Sequence, residues 1–109
     1  MAQPAPLNNL RIETRGAGRY VLHGALTFDT VPRLYGESDS LLNHDAATLT
    51  LDLQGVQRTD SAGLALLMEW LRRARSRNKD IHFENIPPQM LAMARLSGLD
   101  SILPLDQSL

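Results

Sequence analysis

The chain contains no cysteine, so neither disulfides nor thiolate-held metals organise it, and its composition fits a reducing compartment. Neither sign of charge dominates: eleven Lys and Arg stand against twelve Asp and Glu, a formal net charge of -1 that gives no global pull toward nucleic acid or an anionic membrane. Partners should be recognised by shape. No apolar run approaches the roughly 18–20 residues that span a bilayer, and Met1-Ala2-Gln3-Pro4-Ala5-Pro6 lacks the charged and apolar regions of a secretory signal. These absences predict a cytoplasmic protein. Signatures of catalysis are missing as well. His23, His44 and His82 show no paired metal-ligand spacing, and no glycine-rich phosphate loop with its lysine occurs. Asp60-Ser61-Ala62-Gly63 is not a nucleophile elbow, and no histidine is placed by sequence as a base for Ser61. The expectation is a protein that is not an enzyme and uses no metal or cofactor.

What is present organises itself around residues 49–70. With 109 residues the chain is long enough for one core, which we assign to a single domain over 9–109 behind a flexible tail over 1–8, marked by Pro4 and Pro6. Leu49, Leu51 and Leu53 alternate with polar partners, as a pleated strand requires, and Gln54-Gly55 is expected to end that strand. Asp60 or Ser61 then caps a helix, which presents a hydroxyl where first-turn N–H groups point outward. Leu64, Leu67, Met68 and Leu71 recur on one helical face and should lie on the sheet. Ser61, Ala62, Ala65, Glu69 and Arg72 fall on the other. The first three are small, so they leave a shallow surface that another protein's backbone can approach; the plainer account is a solvent face built for helix propensity. Glu69, Trp70 and Arg73 would edge such a surface, although a tryptophan on the flank of the apolar arc is more often partly buried packing than an interface anchor.

Before this stretch, Leu10 and Ile12 alternate with charged residues, and Gly16-Ala17-Gly18 leads into Arg19–His23, which predicts a hairpin. Gly24 to Asp29 breaks the pattern. Asp29 or Thr30 caps a helix with Pro32 in its first turn, running to about Asn43 on Val31, Leu34, Tyr35, Leu41 and Leu42 despite Gly36. After it, the basic run Arg72 to Lys79 suits the negative end of a helix dipole, with contact to an acidic surface or phosphate as the second reading. Ile81–Asn85 reads as a strand. Pro87-Pro88 opens a last helix to about Ser97, with Leu91, Met93, Ala94 and Leu96 inward and Gly98 as its stop. The order ββαβαβα predicts an α/β fold: one mixed sheet with flanking helices.

Three elements carry a family resemblance: Asp60-Ser61-Ala62-Gly63-Leu64 after the strand Leu49–Leu53, Leu96-Ser97-Gly98-Leu99 near the C-terminus, and Gly24-Ala25-Leu26 after the second strand. Together they resemble the STAS domain. The resemblance implies a binding module, and it places Thr27, Phe28 and Asp29 near the start of the central helix. Phe28 would then either cover the core or meet a partner. Two functions occur within that family. In anti-sigma factor antagonists the serine matching Ser61 is phosphorylated by a partner kinase. This chain departs from them in having Thr27 where an acidic residue is usual and Ala62 where a second serine is usual. The run Gly63-Leu64-Ala65-Leu66-Leu67 and the ending Leu99–Leu105 look closer to the small STAS subunits of the Mla phospholipid-transport ABC system. That similarity implies a non-catalytic cytoplasmic subunit that binds and supports an MlaF-like ABC transporter ATPase. Through the ATPase it would be peripheral to the inner membrane and linked indirectly to the permease, without inserting in the membrane or binding nucleic acid. Ser61 would belong to the ATPase-contacting surface, with Thr27, Phe28, Ala62, Ala65, Glu69 and Arg73 around it.

Overall fold

A pleated strand sends alternate side chains to opposite faces, so a half-covered sheet needs apolar residues at every second position. The computed structural model, which describes residues 10–42 and 45–104, has four such strands: β1 (Leu10–Gly16), β2 (Arg19–Leu26), β3 (Thr48–Thr59) and β4 (Asp80–Glu84). Leu49, Leu51 and Leu53 of β3 are buried with Ile81 and Phe83 of β4, while Thr50, Asp52 and His82 between them are not. The strands form one sheet in the order β1-β2-β3-β4. β1 and β2 pair antiparallel, whereas β2–β3 and β3–β4 are parallel. Parallel neighbours require long crossovers, and helices α1 (Val31–Leu42) and α2 (Ser61–Ser76) supply them. Helix α3 (Pro88–Leu96) and a 3-10 turn, Leu99–Ser101, follow β4. α2 is the middle member of the helical layer, packed against α1, α3, β3 and β4.

This is the mixed ββαβαβα architecture expected from the sequence, and the places where it differs are informative. β2 continues past His23 to Leu26, and β3 does not end at Gln54-Gly55 but runs on to Thr59. The two strands stay paired through register shifts between Val21 and His23 and between Gly24 and Ala25, where β3 carries the extra residues. Gly55 marks a close approach. A Cβ there would lie 2.5 Å from His23 Nδ1 and 2.6 Å from the Leu22 carbonyl oxygen, so β3 lies this close to β2 only without a side chain.

The buried stripe of α2 is rotated from the one predicted. It comprises Gly63, Leu64, Leu66, Leu67, Trp70, Leu71 and Ala74, leaving Met68 half-buried. Trp70 is 0% exposed, so it is core and not the edge of a surface. Its indole Nε1 donates to Ser38 Oγ at 2.7 Å, and Ser38 Oγ donates to the Leu34 carbonyl at 2.6 Å. Ser38 thereby takes an inward position on α1, beside Val31, Leu34, Leu41 and Leu42, while Tyr35 is turned out. On α3 the inward face centres on Met90 and Ala94, one helical turn apart. Leu96, expected inward, is 90% exposed because it lies about 200° around the helix from Ala94. Leu91 and Met93 are half-buried, and Gly98 ends the segment in the left-handed region at φ 72°. The tail predicted over 1–8, the end of the first helix at Asn43, His44 and the closing Leu105 lie outside the described residues.

Candidate functional site

β3 passes into α2 with one residue between them, Asp60, whose extended backbone (φ -138°, ψ -168°) makes it the N-cap. Of the two capping candidates, Asp60 and not Ser61 does this work. Its Oδ1 accepts from the Ala62 N–H at 2.8 Å. Its Oδ2 reaches across to the β2–α1 connection and accepts from the Phe28 N–H at 3.1 Å, while its own N–H donates to the Leu26 carbonyl at 3.2 Å. One carboxylate therefore joins two segments 32 residues apart, at the C-terminal ends of parallel strands, where α/β sheets commonly open a crevice. Gly63 brings them closer still. A Cβ at 63 would stand 2.5 Å from Thr59 Oγ1 and 2.8 Å from the Leu26 carbonyl oxygen, so any side chain there forces the neighbouring atoms to shift.

The connection itself is fully tied. Thr27 N–H donates to Thr30 Oγ1 at 3.0 Å, Asp29 N–H to Thr27 Oγ1 at 3.3 Å, and the Thr30 and Val31 N–H groups to the Thr27 carbonyl at 3.0 and 2.9 Å. Thr30 Oγ1 donates to the Ala25 carbonyl at 2.8 Å, so the buried hydroxyl serves the turn. With every backbone donor from 27 to 31 engaged, the turn holds Phe28 outward at 70% exposure. Phe28 is thus no cover for the core.

Ser61 occupies the first position of α2 and is exposed, and among the described residues its hydroxyl has no hydrogen-bond partner. Ala65 is exposed one turn further along, whereas Ala62 is half-buried and packs partly on the core. The structure brings Thr27, Phe28, Ser61, Ala62 and Ala65 to one end of the helical layer. Glu69 and Arg73 sit farther along α2 and face α1. Glu69 Oε1 and Oε2 accept from Arg72 Nε and Nη2 at 2.9 and 2.5 Å, and Oε2 also accepts from Arg73 Nε at 2.6 Å. First the Arg72 bonds and then the Arg73 bond bring the Glu69 carboxyl down to about 2. Arg73 also lies 3.6 Å from Asp39 and 5.7 Å from the Tyr35 ring centroid.

Beyond Ala65, an open furrow of about 390 Å³ runs along α2 between Tyr35 of α1 and Ile102. Sequence periodicity did not find it, because Met68 read as core and Ile102 belonged to no regular element. The readable signal was the stripe Ala65, Met68, Arg72, Arg75 at helical spacing. Elsewhere, His23 Nε2 lies 2.9 Å from Glu13 Oε1 on the sheet. Among the described residues no group of acidic, histidine or cysteine side chains is arranged to hold a metal, and no helix is long and apolar enough to cross a membrane.

Solved structures with this fold include an anti-sigma factor antagonist from Mycobacterium paratuberculosis (TM-score 0.72, 22% identity, covering 93% of this chain and 86% of that one). The Bacillus cell fate determinant SpoIIAA in its phosphorylated form is similar over 93% of this chain and 92% of its own, at TM-score 0.68 and 16% identity. A sulfate transporter family protein from Wolinella succinogenes aligns at TM-score 0.64 and 18% identity over 80% and 73% of the two chains. At these identities the likeness is one of fold. No curated protein matches the chain. The family model described as "Mlab, STAS domain" matches residues 12–104, nearly all of the described structure. The chain therefore belongs to the STAS-domain family of MlaB type.

Proposed function

We propose that this chain is the non-catalytic STAS subunit that binds and supports the ATPase of an ABC phospholipid-transport complex, and so helps maintain outer-membrane lipid asymmetry. It would act in the cytoplasm, peripheral to the inner membrane through its partner. The domain class favours this, since STAS domains are generally binding domains and not enzymes. The observation that carries it is local: Phe28, exposed on a turn hydrogen-bonded to Asp60, stands beside the exposed Ser61 on a surface of small side chains. The turn backbone that carries Phe28 is already ordered, so docking does not have to order it, and interface energy concentrates on exposed aromatic residues of this kind. Ser61, Ala62 and Ala65 let the partner's backbone approach; Thr27 borders Phe28, and Glu69 and Arg73 border the far side. The test is co-purification with the ABC ATPase. Ser61→Arg and Ala65→Arg should each break the complex with thermal unfolding nearly unchanged, and retention of the complex by both would count against the reading.

A second reading, an anti-sigma factor antagonist switched at Ser61, draws on one feature. The Ser61 hydroxyl is exposed and unengaged among the described residues, at a helix start where a phosphate adds roughly -1.5 to -2 charge beside the positive end of the dipole. Mass spectrometry of protein from cells separates the two. Phosphate on Ser61, with Ser61→Asp weakening a kinase complex, supports the switch, and unmodified Ser61 in all growth states removes it.

A further inference from the structure

The basic run that closes α2 is mostly spent inside the molecule. Arg72 and Arg73 donate to Glu69, Arg73 and Arg77 pair with Asp39 of α1, and Lys79 Nζ donates to the Ala46 carbonyl at 2.9 Å. The Asp39 pairs reach from the end of α2 to α1, and Lys79 reaches the segment that precedes β3. Arg75 differs: its side chain is exposed and, among the described residues, has no ion pair or hydrogen bond. It stands in the wall of the furrow along α2, where Tyr35, Met68 and Ile102 offer apolar surface and Ala65 offers none that protrudes. Ala65, Met68, Arg72 and Arg75 follow one another at three- and four-residue steps, so they form a single stripe along the helix.

We infer that this furrow receives an acidic amphipathic helix of the partner, whose apolar side chains lie on Tyr35, Met68 and Ile102 and whose carboxylate pairs with Arg75. Charge and shape both enter. Glu69, the acidic side chain of the furrow, is already neutralised by Arg72 and Arg73, so Arg75 leaves the furrow with an uncompensated positive charge that a carboxylate matches. The furrow is open along its length, which suits a helix lying across it and does not give the enclosure that buries most of a small ligand. Ala65 belongs both to this furrow and to the surface around Ser61, so one partner covers both without a gap. This inference rests on the docking reading above and extends it by about three turns of α2.

The test measures binding of the purified full chain to its ABC ATPase for wild type, Arg75→Gln, Arg75→Glu and Ser61→Arg, at low and high salt. Arg75→Glu should weaken binding at least tenfold and Arg75→Gln less, with the salt dependence of the wild type reduced in Arg75→Gln. A glutamate-to-lysine change in the partner helix should restore binding to Arg75→Glu. Wild-type affinity and salt dependence in both Arg75 variants, with Ser61→Arg still disruptive, overturn the furrow proposal and leave the docking reading standing. Wild-type binding by all three variants overturns the docking reading itself. Vesicles containing phosphatidylglycerol serve as the control for a membrane target. Binding to them that depends on Arg75, while the ATPase complex is indifferent to it, also overturns the proposal.

Discussion

Asp60 and Phe28 are joined by a 3.1 Å hydrogen bond from the Phe28 N–H to Asp60 Oδ2, while Oδ1 of the same carboxylate caps α2 through Ala62. The cap that starts the helix therefore also holds the turn backbone from which the exposed Phe28 projects. Asp60→Ala removes both acceptors. Loss of an N-cap of this kind costs about 0.5–2 kcal/mol, and the Phe28 amide should exchange faster with solvent than in wild type. Urea denaturation and amide hydrogen exchange check the two effects; unchanged exchange at Phe28 would mean that the turn is held without Asp60.

The two glycines Gly63 and Gly36 should respond to alanine in opposite directions. At Gly63 the new methyl group would stand 2.5 Å from Thr59 Oγ1 and 2.8 Å from a backbone oxygen, and overpacking of this sort costs about 1–3 kcal/mol. At Gly36, in the exposed middle of α1, nothing lies within 4 Å of the added Cβ. Gly36→Ala should stabilise by about 0.4–1 kcal/mol. Urea midpoints that fall for one variant and rise for the other are the expected result.

Little of this reach could be read from composition, but much of the frame could. Alternation at Leu49, Leu51 and Leu53 and at Ile81 and Phe83 marked two strands, Asp60 and Pro88 marked helix starts, and Gly98 marked a stop, because these signals act within a few residues. The extent of β3 was hidden. Gly55 reads as a turn residue, and only the pairing with β2 reveals that it lets two neighbouring strands approach closely. The tilt of the α2 stripe toward Trp70 was hidden for the same kind of reason, since Ser38, the partner of its indole, is 32 residues away. Phe28 was legible as a candidate but not as an exposed one. Its outward position depends on a carboxylate from another part of the chain.

Ser38→Ala tests the buried pair directly. It leaves the Trp70 N–H without its acceptor in a fully buried site, a loss of about 1–3 kcal/mol. The chain has one tryptophan, so its fluorescence follows unfolding without interference from another indole. A wild-type urea midpoint in Ser38→Ala would show that the indole finds another acceptor.

Glu69 gives the pH dependence. Folding lowers its pKa from 4.5 to about 2 through the Arg72 and Arg73 bonds, so the ionised carboxylate stabilises the fold above about 4.5, and that contribution is lost as pH falls toward about 2. The difference in urea midpoint between wild type and Glu69→Gln should be present at pH 7 and close across that window. The effect is small, because exposed ion pairs are screened by solvent. A gap that stays constant or widens on acidification would contradict this assignment.

In the proposed complex the end of the helical layer around Phe28 and Ser61 would be covered by the partner, and the open face of the sheet would not. Hydrogen exchange of the chain alone and in complex with the ABC ATPase measures this most directly. Slower exchange is expected in segments 26–31 and 61–72 on complex formation, with segments 11–15 and 80–85 unchanged. Protection of the sheet segments with none at Phe28 or along α2 would contradict it.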